Sequence, residues 1–174
     1  MSLSLLPQSL YLGIDPGLAG AIVGVDNNLN VVFLRKTPVF KQPLNNTRYD
    51  LREMWAILRE LRAKYEHISC YIEKSQSRPT DSRRSAWTTG CGFGFWQMAL
   101  TAADIPYGLV PPKKWQTAVY PKDSDLSPKE LSVLCAKQIF PKINLLPTPR
   151  SRKEDHNISD AALIALYCIN ESRR

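Results

Sequence analysis

Short apolar runs rich in β-branched residues alternate with turn-forming residues over the first third of the chain, at 10–14 (LYLGI), 21–25 (AIVGV) and 31–34 (VVFL). Asp15, Pro16 and Gly17 supply turn chemistry between the first two runs, and an Asn-rich stretch at 26–30 separates the second from the third. The pattern predicts a three-stranded antiparallel meander. Residues 36–47, which include Pro38 and Pro43, read as a loop. From Tyr49 onward Leu51, Met54, Trp55, Leu58, Leu61 and Tyr65 recur at helical steps, the mark of an amphipathic helix. Ile68, Cys70 and Ile72 then alternate with Ser69, Tyr71 and Glu73, a strand that ends on Glu73. Residues 74–84 are polar and basic around Pro79 and read as a surface loop. Residues 85–103 read as a helix carrying Trp87, Phe93, Phe95, Trp96 and Met98, although Gly90, Gly92 and Gly94 weaken its helical propensity. A strand at 107–110 stops at Pro111 and Pro112, and two further helical segments, 127–139 and 156–169, flank a Pro- and Arg-rich linker. A meander feeding a strand-helix-strand crossover makes a mixed α/β sheet with helices on its faces.

With 174 residues the chain has the size of one domain, spanning 1–174. Its 23 basic residues against 16 acidic ones give a net charge of +7, which favours a polyanionic partner. Cys70, Cys91, Cys135 and Cys168 show no CxxC spacing, so they read as small buried apolar residues and not as a zinc site. The first ten residues lack a charged segment and are broken by Pro7, unlike a secretory signal. No apolar stretch is long enough to span a bilayer, so no membrane partner is expected. The expected setting is inside a cell: cytoplasm or nucleoid, or the organellar or phage-infected equivalent.

The candidate chemistry lies in acids at element ends. Asp15 and Glu73 close strands that, as parallel neighbours, would bring both carboxylates to one sheet edge, where open α/β sheets place their sites. His156 and Asp160, four residues apart at the start of the last helix, share a face and would complete a four-ligand cage. Carboxylate oxygens without thiolate suit Mg²⁺ or Mn²⁺. Two such ions can activate water for in-line attack on a phosphodiester.

GIDPG at 13–17, IEKSQS at 72–77, GCGFGFWQMAL at 90–100, VPPKKWQ at 110–116 and KEDHNISDAALIA at 153–165 stand in one order. That order resembles the RuvC-like Holliday junction resolvases, with the greatest likeness to their phage, cyanobacterial and chloroplast (monokaryotic chloroplast) branch. The resemblance implies an RNase H-like fold, a homodimer and two Mg²⁺ ions per site. It implies symmetric paired nicks across a four-way DNA junction, leaving 5′-phosphate and 3′-hydroxyl ends. It assigns Asp15, Glu73, His156 and Asp160 as catalytic metal ligands, with Asp155 in reserve. Where typical bacterial members carry a lysine this chain has Trp115, so Lys113 or Lys114 would face the scissile phosphate, with Lys129 as a second basic position. Gln76 stands where those relatives often have an aromatic wedge.

Lys74, Arg78, Arg83 and Arg84 follow Glu73, and Arg150, Arg152 and Lys153 precede His156, so both groups are expected to grip DNA phosphates. The aromatic residues and glycines of the helix over 85–103 suit a two-fold subunit contact. Two other uses of the same fold are a branched-DNA-binding module that does not cut and a nuclease preferring flaps or RNA:DNA hybrids. An ATP-binding reading of GIDPGLAGAIVGVD requires a second phosphate hairpin that the sequence lacks, so no nucleotide cofactor is expected.

Overall fold

Alternation along the central strand decides which acids share a face. In the computed structural model, which describes residues 9–40, 47–74, 80 and 82–173, the meander consists of β1 (Ser9–Asp15), β2 (Ala21–Val25) and β3 (Val31–Lys36). Leu10, Leu12 and Ile14 point to one face of β1, and Tyr11, Gly13 and Asp15 therefore to the other. Beyond the meander come a short hairpin of β4 (Val39–Phe40) and β5 (Arg48–Tyr49), then α1 (Leu51–Lys64), β6 (His67–Glu73), α2 (Arg83–Ala102) and β7 (Tyr107–Val110). The chain closes with α3 (Pro112–Val119), α4 (Pro128–Ile139) and α5 (His156–Ser172).

The five-stranded sheet has the order β3-β2-β1-β6-β7. The meander pairs antiparallel, whereas β6 lies parallel to both β1 and β7. The mixed sheet flanked by helices is the architecture expected from the sequence. The register Leu12↔Cys70 and Ile14↔Ile72 leaves Asp15 and Glu73 one step further along adjacent strands, on the same face. Neighbouring strands are about 4.8 Å apart, so the two carboxylates leave the sheet side by side.

Each face carries its own core. Leu10, Leu12, Ile14 and Ile72 pack with Met54, Leu58, Trp96 and Leu100 of α1 and α2. On the other face Val23, Val110, Trp115 and Ala136 pack around α5, whose residues Ala161 to Ala165 are fully buried. The run of alanines lets α5 press against β1. A methyl group on Gly13 would overlap the carbonyl oxygen of Ala161 and the nitrogen of Ala165, so the residue must be glycine for the helix to sit this close. That contact holds the N-terminal half of α5, and with it Asp160, beside the end of β1.

Three features differ from the sequence-based expectation. The segment read as a loop carries β4, which pairs with β5 just beyond it, and the Tyr49 hydroxyl of β5 donates toward the carbonyls of Pro16 and Thr88 at 3.3 and 3.2 Å. Gly92 gives that hydroxyl room, so one of the helix-weakening glycines serves packing. Pro111 and Pro112 do not merely end β7. Pro112 occupies the first position of α3, where a helix needs no backbone N–H. Among the described residues no helix is long and apolar enough to cross a membrane.

Candidate active site

Asp15, at the end of β1, is half-buried. Burial pushes its carboxyl up to about 6, against the Gly17 N–H at 3.2 Å and the charge of Lys36, and Asp155 adds to the rise. Asp160, near the start of α5, is pushed up to about 7 by burial, in spite of a hydrogen bond from Ser132, and the negative charges of Asp15, Glu73 and Asp155 contribute further. Four acids therefore share one electrostatic neighbourhood at this edge of the sheet. Glu73 accepts the indole N–H of Trp115 at Oε2, 2.7 Å away.

Asp155 caps α5, accepting the Asn157 backbone N–H at 2.9 Å and pairing with Lys36 at 2.6 Å. Burial would raise its carboxyl, but the bonds from Lys36 and Asn157 outweigh that and hold it below the ordinary value. Lys36 also donates to the Ala19 carbonyl, tying the end of β3 to the turn after Asp15. The reserve acid is thus part of the acidic neighbourhood and carries its own cation.

His156 is the first residue of α5. It lines a cavity of about 720 Å³ beside α4, with Lys129, Lys137, Lys153 and Glu154 among its walls. Burial and the neighbouring Lys129 lower its pKa, with Asp155 opposing, so the ring is held neutral. Among the described residues no three His, Cys, Asp or Glu side chains stand close enough to hold a metal ion as placed. The expected cage of Asp15, Glu73, His156 and Asp160 is therefore not closed by these side-chain positions. Each acid accepts a hydrogen bond from a protein donor: Asp15 from the Gly17 N–H, Glu73 from the Trp115 indole, Asp160 from the Ser132 hydroxyl and Asp155 from the Lys36 ammonium.

The donor set nevertheless fits a hard divalent cation. Half-buried carboxyls with raised proton affinity are short of countercharge, and oxygen donors of this kind match Mg²⁺ or Mn²⁺.

The basic residues surround this edge unevenly. Lys74 directly follows Glu73 and is exposed, with its backbone N–H on the Val110 carbonyl at 2.8 Å. Arg83 and Arg84 open α2, Lys113 lies in the first turn of α3 and Lys129 in that of α4, and Arg150, Arg152 and Lys153 lie in the segment before α5; all are exposed. Lys114 instead reaches the Tyr167 ring, its Nζ 6.0 Å from the centroid, well along α5 from Asp160. Gln76 and Arg78 lie outside the described residues.

Sequence reasoning missed Trp115, Ser132 and Lys36. Pro112 at a helix start with Trp115 and Val119 four apart could have revealed α3 and its buried face. Nothing in the sequence marks Ser132 or Lys36, because each meets its acid only through tertiary packing.

The strand order and the helix laid over β1 define the RNase H-like class of mixed α/β fold. The chain is similar to RuvC of T. thermophilus in complex with a Holliday junction substrate, with a TM-score of 0.64 at 17% identity over 95% of this chain and 96% of that one. It is also similar to a second Thermus thermophilus RuvC structure, with a TM-score of 0.55 at 17% identity over 94% and 95% of the two chains. The fold is thus that of RuvC. The sequence matches no protein-family model and no curated protein.

Proposed function

We propose that this protein is a divalent-metal-dependent endonuclease that resolves four-way DNA junctions, related to the RuvC-like resolvases and within them to the phage, cyanobacterial and chloroplast branch. The observation that carries this reading is the placement of Asp15, Glu73 and Asp160 at one sheet edge, where Asp160 feels the charge of the other two and of Asp155. The likeness to a RuvC bound to a Holliday junction substrate supports the choice of DNA. The net charge of +7 supports a phosphate-rich partner.

In this reading Asp15, Glu73 and Asp160 hold the cations, and His156 and Asp155 stand next to them as the fourth position. Two bound ions would supply Lewis acidity and a lowered pKa for the attacking water. Oxygen of that water bonds to phosphorus, the bond from phosphorus to the 3′ oxygen breaks, and the departing oxygen takes up a proton. The products are a 5′-phosphate and a 3′-hydroxyl. Arg83, Arg84, Lys113, Lys129 and the cations before α5 hold the strands through their phosphates.

A homodimer would present two such sites to one junction. The exposed face of α2 offers the contact: Trp87 is 75% and Met98 66% exposed, and a methyl group on Gly90 or Gly94 would meet nothing. Sedimentation of the protein and of its Trp87→Asp variant tests this, with a shift toward monomer expected for the variant.

The deciding experiment incubates the protein with a synthetic four-way junction and Mg²⁺ or Mn²⁺. Paired symmetric nicks are expected, and Asp15→Asn, Glu73→Gln and Asp160→Asn should each abolish them while the junction remains bound. Binding without nicks in either metal would make the protein a non-cutting junction binder. Faster cutting of flaps or RNA:DNA hybrids would reassign the substrate.

A further inference from the structure

We propose that Trp115 is a positioning residue of the site, its indole N–H orienting the Glu73 carboxylate for a cation; this rests on the nuclease reading above. Trp115 is fully buried, in the core between α3, α4 and α5. Its ring meets Tyr120 edge-on, with centroids 5.6 Å apart and an interplanar angle of 78°. Held there, its single N–H has one direction in which to donate, and it donates to Glu73 Oε2 at 2.7 Å. Bonds from a donor to an ionised carboxylate are short and strong, so this one fixes the rotation of the Glu73 head group.

The kind of donor matters as much as its place. A lysine at this position would neutralise the carboxylate and compete with a cation for it. An indole is neutral, so it orients the acid while leaving the negative charge intact. Ser132 does the same for Asp160. Asp155, in contrast, is bonded to the ammonium of Lys36. Neutral donors thus serve the three acids that would take a cation, Asp15 through the Gly17 N–H, and the charged donor serves the acid that caps the helix.

Trp96 provides the matched comparison. It too is fully buried, but its Nε1 has no hydrogen-bond partner, and it lies in the core on the opposite face of the sheet. Trp115→Phe and Trp96→Phe remove equivalent indoles, and only the first removes a bond to an acid. The test is Mn²⁺ affinity of the DNA-free protein by calorimetry, with Mg²⁺ dependence of junction cleavage alongside.

Loss of an outer hydrogen bond to a ligand typically costs roughly 10- to 100-fold in metal affinity or activity, and that is the expected loss for Trp115→Phe. Trp96→Phe should stay within about twofold of the parent, because no group near the metal loses its partner. Replacing Trp115 by benzothienylalanine, which keeps the bicyclic shape and lacks the N–H, covers the case in which Trp115→Phe fails to fold. It should reproduce the loss while the protein stays folded and junction affinity is unchanged. Equal Mn²⁺ affinity for parent, Trp115→Phe and the benzothienylalanine form would overturn the inference while leaving the nuclease reading intact. A parent that binds no Mn²⁺ and cuts no junction would overturn both.

Discussion

If burial and neighbouring acids raise the Asp160 carboxyl, its removal should stabilise the metal-free protein while destroying its activity. The perturbation is Asp160→Asn, which keeps an oxygen to accept the Ser132 hydroxyl and deletes the charge. The shift from 3.8 to about 7, at about 1.36 kcal/mol per unit, corresponds to ~4 kcal/mol of native-state destabilisation once the group is ionised. The folded-state pKa lies above the unfolded one, so protonation favours the native state. That contribution is fully present below pH about 4 and is lost as pH rises through about 7. Asparagine has no such loss. The variant should therefore exceed the parent by up to ~4 kcal/mol at pH 8, and by less than about 2 kcal/mol at pH 5. For a chain of this length 1 kcal/mol moves Tm by roughly 2–4 °C, which gives an upward shift of up to roughly 8–16 °C at pH 8. Thermal unfolding in EDTA from pH 5 to 8 measures it, and millimolar Mg²⁺ should narrow the gap by stabilising the parent alone. A variant no more stable than the parent at pH 8, or a gap that does not change with pH, would refute the electrostatic account of the site.

Two further predictions concern the frame around the acids. Gly13→Ala should cost about 1–3 kcal/mol or more in urea unfolding, because the new methyl overlaps the backbone of α5; a midpoint equal to the parent's would show that α5 can move away freely. Lys36→Met removes the half-buried partner of Asp155 and should cost about 1–2 kcal/mol at neutral pH. Because the Asp155 pKa is depressed in the folded state, this difference is present above pH about 4 and fades as pH falls through the folded value. Urea midpoints at pH 7 and pH 3 test it, and an undiminished difference at pH 3 would contradict the pairing.

Periodicity made the sheet legible. Alternation in β1 and β6 sets which residues face α5, so the meeting of Asp15 with Glu73 was readable from two short strings once the strands were taken as parallel neighbours. Helical spacing likewise put Asp160 near the start of the last helix, one turn beyond His156. What could not be read was the supply of hydrogen bonds to these acids. Trp115 sits in a helix that a pair of prolines concealed, and Ser132 and Lys36 come from elements 28 residues from Asp160 and 119 residues from Asp155.

The burial of α5 on nearly every side has a consequence for how such a site can change. The helix that presents Asp160 is also the keel on which the sheet rests, so this acid cannot be moved without disturbing the whole molecule. Variation in reactivity among proteins built this way should accumulate in α3, α4 and the β3 end, which touch the acids from outside. The keel itself should change least.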